Sequence, residues 1–104
     1  MPGIAQTPEP PYYAVIFTSK LNENAQGYED MADKMLSLAL QQPGFLGFET
    51  AREGIGLSIS YWSDLDSIKR WKEHSEHRVA QQLGREFWYK NIKTRIARVE
   101  RDYD

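Results

Sequence analysis

Trp71, His74 and His77 follow one another at intervals of three residues and include both histidines of the chain. The pKa of an unperturbed histidine lies near neutrality, so His74 and His77 are the side chains best suited to act as a general base. Residues three apart share a helix face, which would place the Trp71 indole beside that base. A general base beside an indole is one interpretation of this spacing; the alternative is that both histidines are solvated helix residues.

The same histidines are interspersed with Glu73 and Glu76, a pattern that could also bind a metal ion. No third ligand stands out elsewhere in the sequence, so we predict no dedicated metal site. The chain has no cysteine, which excludes disulfides, thiolate metal centres and a cysteine nucleophile, and which fits a reducing cytoplasm. Motifs for a serine nucleophile or a phosphate-binding glycine loop are also missing from the sequence.

Length and charge limit the remaining functions. A chain of 104 residues forms one small domain, in which oligomerisation helps to bury apolar surface. Its 13 basic and 15 acidic residues are interspersed, and no basic stripe indicates nucleic-acid binding. The apolar runs are too short to cross a bilayer, and the N-terminal sequence lacks the layout of a signal peptide. We therefore expect a soluble cytoplasmic protein without nucleic-acid or membrane partners.

The pattern of apolar residues predicts strands and helices that follow a proline-rich arm. Residues 1–11 contain four of the five prolines and form the predicted extended arm, and the domain occupies 12–104. A hairpin is expected to turn at Gly54, because glycine readily adopts the positive φ that such a turn needs. The predicted strands are Tyr12–Ser19, Phe45–Arg52, Ile55–Trp62 and Asn91–Arg101, and the predicted helices are Tyr28–Gln42 and one that opens at Ser63.

Strand Ile55–Trp62 alternates between two kinds of side chain. Large apolar residues occupy one face, and Gly56, Ser58, Ser60 and Trp62 occupy the other. Small polar side chains beside a tryptophan predict hollow space above the sheet, whereas the alternative is a solvated face. The first strand differs, because both of its faces are largely apolar and neither is expected to face water for long.

The second helix has a clear start and an ambiguous middle. Ser63 is the predicted N-cap, and Asp66 lies in the first turn, where the helix dipole favours an acid. Ser75 could cap a restarted helix, and such a break would re-aim His74 and His77. The sequence leaves a straight and a broken helix equally open.

The element order β-α-β-β-α-β predicts an α+β, ferredoxin-like fold, with two helices on one face of a four-stranded antiparallel sheet. That arrangement leaves the opposite face uncovered in a single subunit, although the first strand is apolar on both sides. A symmetric homodimer that pairs the two sheet faces would cover it. A small-molecule pocket would then lie between helices and sheet, or near the dimer seam.

The segments PGFLGFE and SISYWSDLDSIKRWKEHSEH, separated by a glycine turn, resemble the antibiotic biosynthesis monooxygenase family. The resemblance covers nearly the whole chain after residue 11. It implies a dimeric α+β barrel built from ferredoxin-like subunits. Members of this family include cofactor-free oxygenases of aromatic polyketides and quinols, haem-degrading monooxygenases and small-molecule isomerases.

Residue by residue, the resemblance favours the cofactor-free members. Trp71 corresponds to the tryptophan that packs against the substrate in haem-degrading members. Gln81 occupies the place of their proximal histidine, and the first strand lacks their asparagine. In a cofactor-free aromatic oxygenase of the family, a tyrosine and an asparagine occupy the places of His77 and Ser67.

These observations lead to three hypotheses. The first is a monooxygenase that acts on a small aromatic or quinol-like molecule without its own metal or flavin, with His74 or His77 as base. Its substrate-binding residues would be Trp71, Trp62, Phe17 and Ser67. The second hypothesis is a member that binds or degrades haem through a different histidine. The third is a non-catalytic dimeric module that binds a small molecule.

Overall fold

A computed structural model describes residues 3–82 and 88–104, with only the backbone described for the end of the second helix, residues 77–82. The described chain follows the predicted order of strands and helices. The strands are β1 (Tyr12–Leu21), β2 (Phe45–Glu53), β3 (Ile55–Trp62) and β4 (Tyr89–Val99), and the helices are α1 (Tyr28–Ala39) and α2 (Leu65–Gln82).

The strands form one antiparallel sheet in the order β2-β3-β1-β4. This order places β1 and β3 at the centre, which explains why β1 carries apolar residues on both faces. The architecture is α+β and ferredoxin-like, as predicted. Among the described helices, none is long and apolar enough to cross a membrane.

The first helix starts at Tyr28 as predicted, whereas the second helix has a different N-cap from the predicted one. α1 begins after Gly27, whose φ of 84° ends the preceding turn without a side-chain cap. At α2 the cap is Asp64 rather than Ser63, since the Ser67 N–H donates to Asp64 Oδ1 at 2.7 Å. This backbone hydrogen bond, supported by the Ser63 hydroxyl, lowers the pKa of Asp64.

α2 is a continuous helix, which answers the question left open at Ser75. The Ser75 hydroxyl does not cap a new helix but donates to the Lys72 carbonyl oxygen at 3.1 Å. A serine in mid-helix commonly satisfies its hydroxyl in this way. His74 therefore keeps the direction that an unbroken helix gives it.

The pairing register determines which side chains share a face of the sheet. Val15 lies opposite Ser60 and Phe17 lies opposite Ser58, and these residues face the helices. We call this side the covered face. The alternate residues form the other side, which we call the open face, and it includes Ile55 and Leu57 at 58% and 45% exposure.

The arm before β1 packs on the open face. The Ala5 N–H donates to Glu49 Oε2 at 3.0 Å, and a β-carbon at Gly47 would lie only 2.8 Å from the Ala5 β-carbon. Thr7 donates to the Tyr12 hydroxyl, which in turn donates to an Asp102 carboxylate oxygen at 2.5 Å. Both ends of the chain therefore meet at one end of this face.

A single arginine connects the start of α1 to the sheet. The Arg52 guanidinium from β2 lies above Gly56, where any β-carbon would collide with it. It donates to the buried Ser19 hydroxyl at 2.5 Å and to the Tyr28 hydroxyl at 3.3 Å. Arg52 thus joins β2, the end of β1 and the first residue of α1.

Candidate functional site

A cavity of about 500 Å³ lies between the two helices and the covered face of the sheet. Its walls are mainly apolar and aromatic, with hydroxyl groups on the sheet side. The strand residues that line it are Val15, Phe17, Phe48, Ser58, Ser60, Tyr89, Thr94 and Ile96. The remaining lining residues are Tyr28, Met31, Ala32, Met35, Leu36, Ala39, Ile68, Trp71, Lys72, Ser75, Glu76 and Trp88.

The floor of the cavity confirms the hollow predicted from β3. Ser58 and Ser60 are too small to reach the helices, so space remains where larger side chains would have packed. Val15 and Phe17 flank these serines on β1. The Ser58 hydroxyl also pairs with the Thr50 hydroxyl at 3.2 Å.

Four rings form a continuous stack beside the cavity. Phe45 meets Trp62 edge to face at 5.4 Å, and Trp62 stacks on Trp71 with centroids 5.9 Å apart. The His74 ring continues the stack at 5.9 Å from Trp71. Only Trp71 of this stack lines the cavity, so Trp62 supports the wall from behind. Trp62 is fully buried.

His74 lies one ring away from the cavity. Its Nε2 atom is shielded from solvent and has no hydrogen-bond partner among the described residues. Such an unpaired buried nitrogen is uncommon and is a recognised feature of functional sites. The side chain of His77 lies outside the described residues, so its prediction as a base stays a prediction.

Ser67 lies apart from the cavity lining. It is 3% exposed and packs against Gly44, where a β-carbon would collide with the serine side chain. Its hydroxyl accepts a hydrogen bond from Arg70 at 3.3 Å. Of the predicted substrate-binding residues, the structure brings Trp71 and Phe17 to the cavity wall, Trp62 behind it, and Ser67 to the junction between α2 and Gly44.

The family model for antibiotic biosynthesis monooxygenases matches residues 11–83 of the sequence. The chain belongs to this family. A relative in Bacillus subtilis (strain 168), the uncharacterized protein YqjZ, is 50% identical over 103 residues, which cover 97% of this chain and 90% of the relative.

Solved structures share the fold of this chain at low sequence identity. A mutant of SnoaB, a cofactor-independent oxygenase from Streptomyces nogalater, has a TM-score of 0.72 and 14% identity, covering 88% of this chain and 95% of SnoaB. PA3566 from Pseudomonas aeruginosa has a TM-score of 0.69 and 18% identity, covering 91% of this chain and 98% of PA3566.

Several residues of this family member's cavity were not predicted as site residues. The methionines of α1 fit a core stripe in the sequence, and Met31 is indeed buried, yet it also lines the cavity. Ser58 and Ser60 carried a usable signal, because their small size beside Trp62 predicted the hollow that they border. The contribution of Tyr89 depends on long-range packing against Phe17 and Tyr28, which no local pattern reports.

Metal ligands do not converge in the part of the chain that the structure describes. No three residues of the metal-binding types lie together there. The second hypothesis requires a histidine that binds the haem iron, and the described lining residues include none. Charge is confined to Lys72 and Glu76, which form a largely exposed pair at 3.9 Å.

Proposed function

We propose that this chain is a cofactor-independent monooxygenase that oxidises a small aromatic or quinol-like molecule in the cavity between helices and sheet. The observation that carries the proposal is the cavity itself: about 500 Å³, walled by aromatic and aliphatic side chains, with hydroxyl groups at its floor. Membership of the antibiotic biosynthesis monooxygenase family supports the reaction class. The fold shared with SnoaB, a cofactor-independent oxygenase, is consistent with it.

The chemistry requires an electron-rich ring that can lose a proton, such as a phenol fused to a ring ketone with a methylene group. Removal of the proton gives an anion that transfers one electron to O2, and the resulting radicals join to form a carbon–oxygen bond. The peroxide then loses its remaining carbon-bound hydrogen as the O–O bond breaks. One oxygen atom stays as a new carbonyl, and the other leaves as water with the two hydrogens of the methylene.

The cavity walls suit this sequence of steps. Phe17 and Trp71 offer ring faces against which a flat substrate can stack, and the aliphatic side chains of α1 keep water away from the radical pair. O2 is apolar and enters such surroundings readily. The family chemistry proposed here therefore needs no group beyond the substrate, O2 and a base.

We assign the role of base to His74. Its Nε2 atom has no partner among the described residues and so can accept a proton. The imidazole lies against Trp71 rather than on the cavity surface, so proton transfer to Nε2 would require the Trp71 ring to move and open a path from the cavity. His77, whose side chain lies outside the described residues, is the second candidate for this role.

We also propose that two copies pair through their open faces. Ile55 and Leu57 are exposed there on a central strand. On this face the edge strands have opposite charges, with Glu53 on β2, and Lys93 and Arg95 on β4. A two-fold axis parallel to the strands would place the acidic edge of each copy over the basic edge of the other.

Oxygen consumption with a panel of anthrones and quinols tests the enzymatic proposal. We expect uptake of one O2 per substrate and a new carbonyl in the product, detected by mass spectrometry with ¹⁸O2. His74→Ala should abolish most turnover and move its pH dependence, whereas Trp71→Ala should lower kcat/KM roughly tenfold or more by removing the wall. Tyr103→Ala is the matched control, since Tyr103 is exposed in the C-terminal tail.

The same protein separates the other two hypotheses. Haemin that binds with a shifted Soret band, lost in His74→Ala, would replace the proposal with a haem-handling role. Aromatic ligands that bind in the cavity without any oxygen uptake across the panel would replace it with a binding module. Neither result depends on the oligomeric state, which is measured separately by analytical ultracentrifugation.

A further inference from the structure

A buried hydrogen bond beside the cavity joins Ser60 and Trp62, which are two residues apart on the covered face of β3. The Trp62 indole N–H donates to Ser60 Oγ at 2.9 Å, with the two residues only 0% and 9% exposed. An indole N–H can only donate, so the direction of this hydrogen bond is fixed. The Ser60 oxygen is therefore the acceptor.

This arrangement decides what the Ser60 hydroxyl can offer to a ligand. A serine hydroxyl has one hydrogen to donate and two lone pairs to accept. The indole occupies one lone pair and repels the hydroxyl hydrogen from its own direction. Among the described residues, Ser60 has no acceptor for that hydrogen, and the residue lines the cavity. The Ser60 hydroxyl is thus oriented to donate a hydrogen bond to a molecule bound in the cavity.

The neighbouring Ser58 is different. Its hydroxyl lies 3.2 Å from the Thr50 hydroxyl, and either oxygen can be the donor in that pair. Ser58 can therefore turn to suit a donor or an acceptor on the ligand. Ser60 is more restricted, because Trp62, held by the ring stack with Phe45 and Trp71, already occupies one of its two lone pairs, whereas its hydrogen has no partner among the described residues.

We propose that Ser60 is a specificity-determining residue that donates a hydrogen bond to a carbonyl or phenolate oxygen on the ring of the ligand. This inference rests on the proposed function, in that the cavity is taken as the substrate site. It narrows the substrate class to aromatic molecules that present an acceptor oxygen near the middle of β3. Val15 and Phe48 flank Ser60 on the adjacent strands and keep the hydrogen bond in apolar surroundings, where it is stronger than in water.

Binding of two inert probes tests the inference without turnover. 1-Tetralone has a ring carbonyl, and tetralin has the same skeleton without oxygen. The Kd of each is measured by NMR titration on the wild-type protein and on Ser60→Ala. We expect the tetralone-to-tetralin Kd ratio to rise roughly three- to tenfold in Ser60→Ala, the loss of one hydrogen bond. Comparing ratios cancels the difference in hydrophobicity between the probes.

Two further variants separate recognition from a structural effect. Ser67→Ala removes a similarly buried serine hydroxyl that does not line the cavity, and its ratio should equal that of the wild type. Trp62→Phe keeps a ring but removes the N–H, so both lone pairs of the Ser60 hydroxyl, rather than one, become free to accept. Indole, which can only donate, should then bind more tightly relative to 1-tetralone than it does to the wild type.

The possible failures are distinguishable. If Ser60→Ala leaves the ratio unchanged while both probes bind, the role of Ser60 is refuted and the cavity remains the proposed site of oxidation. If neither probe binds the wild type, the inference fails, and oxygen uptake decides separately whether the proposed function stands. Should Ser60→Ala unfold, an unaltered preference between indole and tetralone in Trp62→Phe would refute the inference by itself.

Discussion

The two faces of this sheet are built from the same strands but are completed in opposite ways. On the covered face, β3 presents Ser58 and Ser60 beneath two helices, and a cavity of about 500 Å³ remains. On the open face, the same strand presents Ile55 and Leu57, which are large and about half exposed. The small residues of β3 therefore lie beneath the helices, and its large residues, apart from Trp62, lie on the open face.

Under the proposed function, this contrast separates ligand binding from assembly. A sheet packed tightly under its helices would have no room for a ligand, so the serines leave the packing incomplete and create space. The exposed aliphatic residues of the open face form the surface through which we propose that a second copy pairs. Alternation along one strand is sufficient to encode both properties.

The largest expected effect comes from removing the support of the covered face. Trp62→Ala should lower the free energy of unfolding by about 3–5 kcal/mol, because a fully buried indole leaves a large cavity when truncated. Chemical denaturation of purified protein measures this value. Tyr103→Ala, in the exposed tail, should change it by less than about 0.5 kcal/mol. A loss below about 1 kcal/mol would mean that the ring stack does not support this face.

A charge on the open face should break association without unfolding the subunit. Leu57→Lys places an ammonium group in the proposed interface, and we expect the dimer Kd to rise roughly tenfold or more. Sedimentation velocity over a range of concentrations measures this change. Ser37→Lys, on an exposed position of α1, is the control and should leave association unchanged. A wild-type protein that stays monomeric at every concentration would refute the pairing proposal.

Filling the cavity should make the covered face pack like an ordinary protein core, while the open face stays unchanged. Ala32→Leu adds bulk from α1 into the cavity and keeps a good helix former. We expect the unfolding free energy to rise by about 0.5–2 kcal/mol while aromatic ligands lose affinity. Lys34→Leu adds a similar side chain on the exposed side of α1 and should leave ligand binding intact. Retained ligand affinity in Ala32→Leu would place the binding site elsewhere.

The smallest effect concerns the tyrosines of the open face. Burial and the hydrogen bond to Glu49 raise the pKa of Tyr61, and the hydrogen bond to Asp102 raises the pKa of Tyr12. A pKa raised by folding stabilises the protein fully below the unfolded value of about 10, and this contribution is lost as the pH rises further. Unfolding free energy should therefore fall from about pH 10 upward.

Tyr61→Phe isolates the part of that pH dependence that belongs to one hydroxyl. The variant should be about 1 kcal/mol less stable at neutral pH, having lost the hydrogen bond to Glu49 at 2.6 Å, and its alkaline slope should be shallower. Denaturation at a series of pH values between about 8 and 12 measures both. Tyr103→Phe should reproduce the wild-type slope, and an equal slope in Tyr61→Phe would contradict the assignment.

The sequence was most informative where a pattern is local. β3 occupies Ile55–Trp62 as predicted, since its alternation and the flanking turn define both ends. β4 begins at Tyr89 rather than Asn91, because a register shift at Lys20 and Leu21 brings Tyr89 into the sheet. α1 ends at Ala39, three residues early, as the turn toward Gly44 begins before the proline.

The candidate site was less predictable because it depends on distant contacts. The hollow above Ser58 and Ser60 follows from side-chain size, so it could be predicted. The position of His74 behind Trp71, rather than on the cavity surface, depends on how α2 lies on the sheet, which periodicity does not report. The partnership of Trp62 with Ser60 also needed atomic positions, although the two residues are near neighbours in sequence.

The crossing of Arg52 above Gly56 makes two positions that pair across the hairpin depend on each other. The guanidinium fills the volume into which any β-carbon at position 56 would project. The observed position of the Arg52 side chain therefore depends on residue 56 being glycine. A relative that gains even a methyl group at 56 must reroute or lose the cation at 52, and with it the tie to Ser19 and Tyr28. The residue at position 56 therefore decides whether the Arg52 guanidinium can lie across the strand and reach Ser19 and Tyr28.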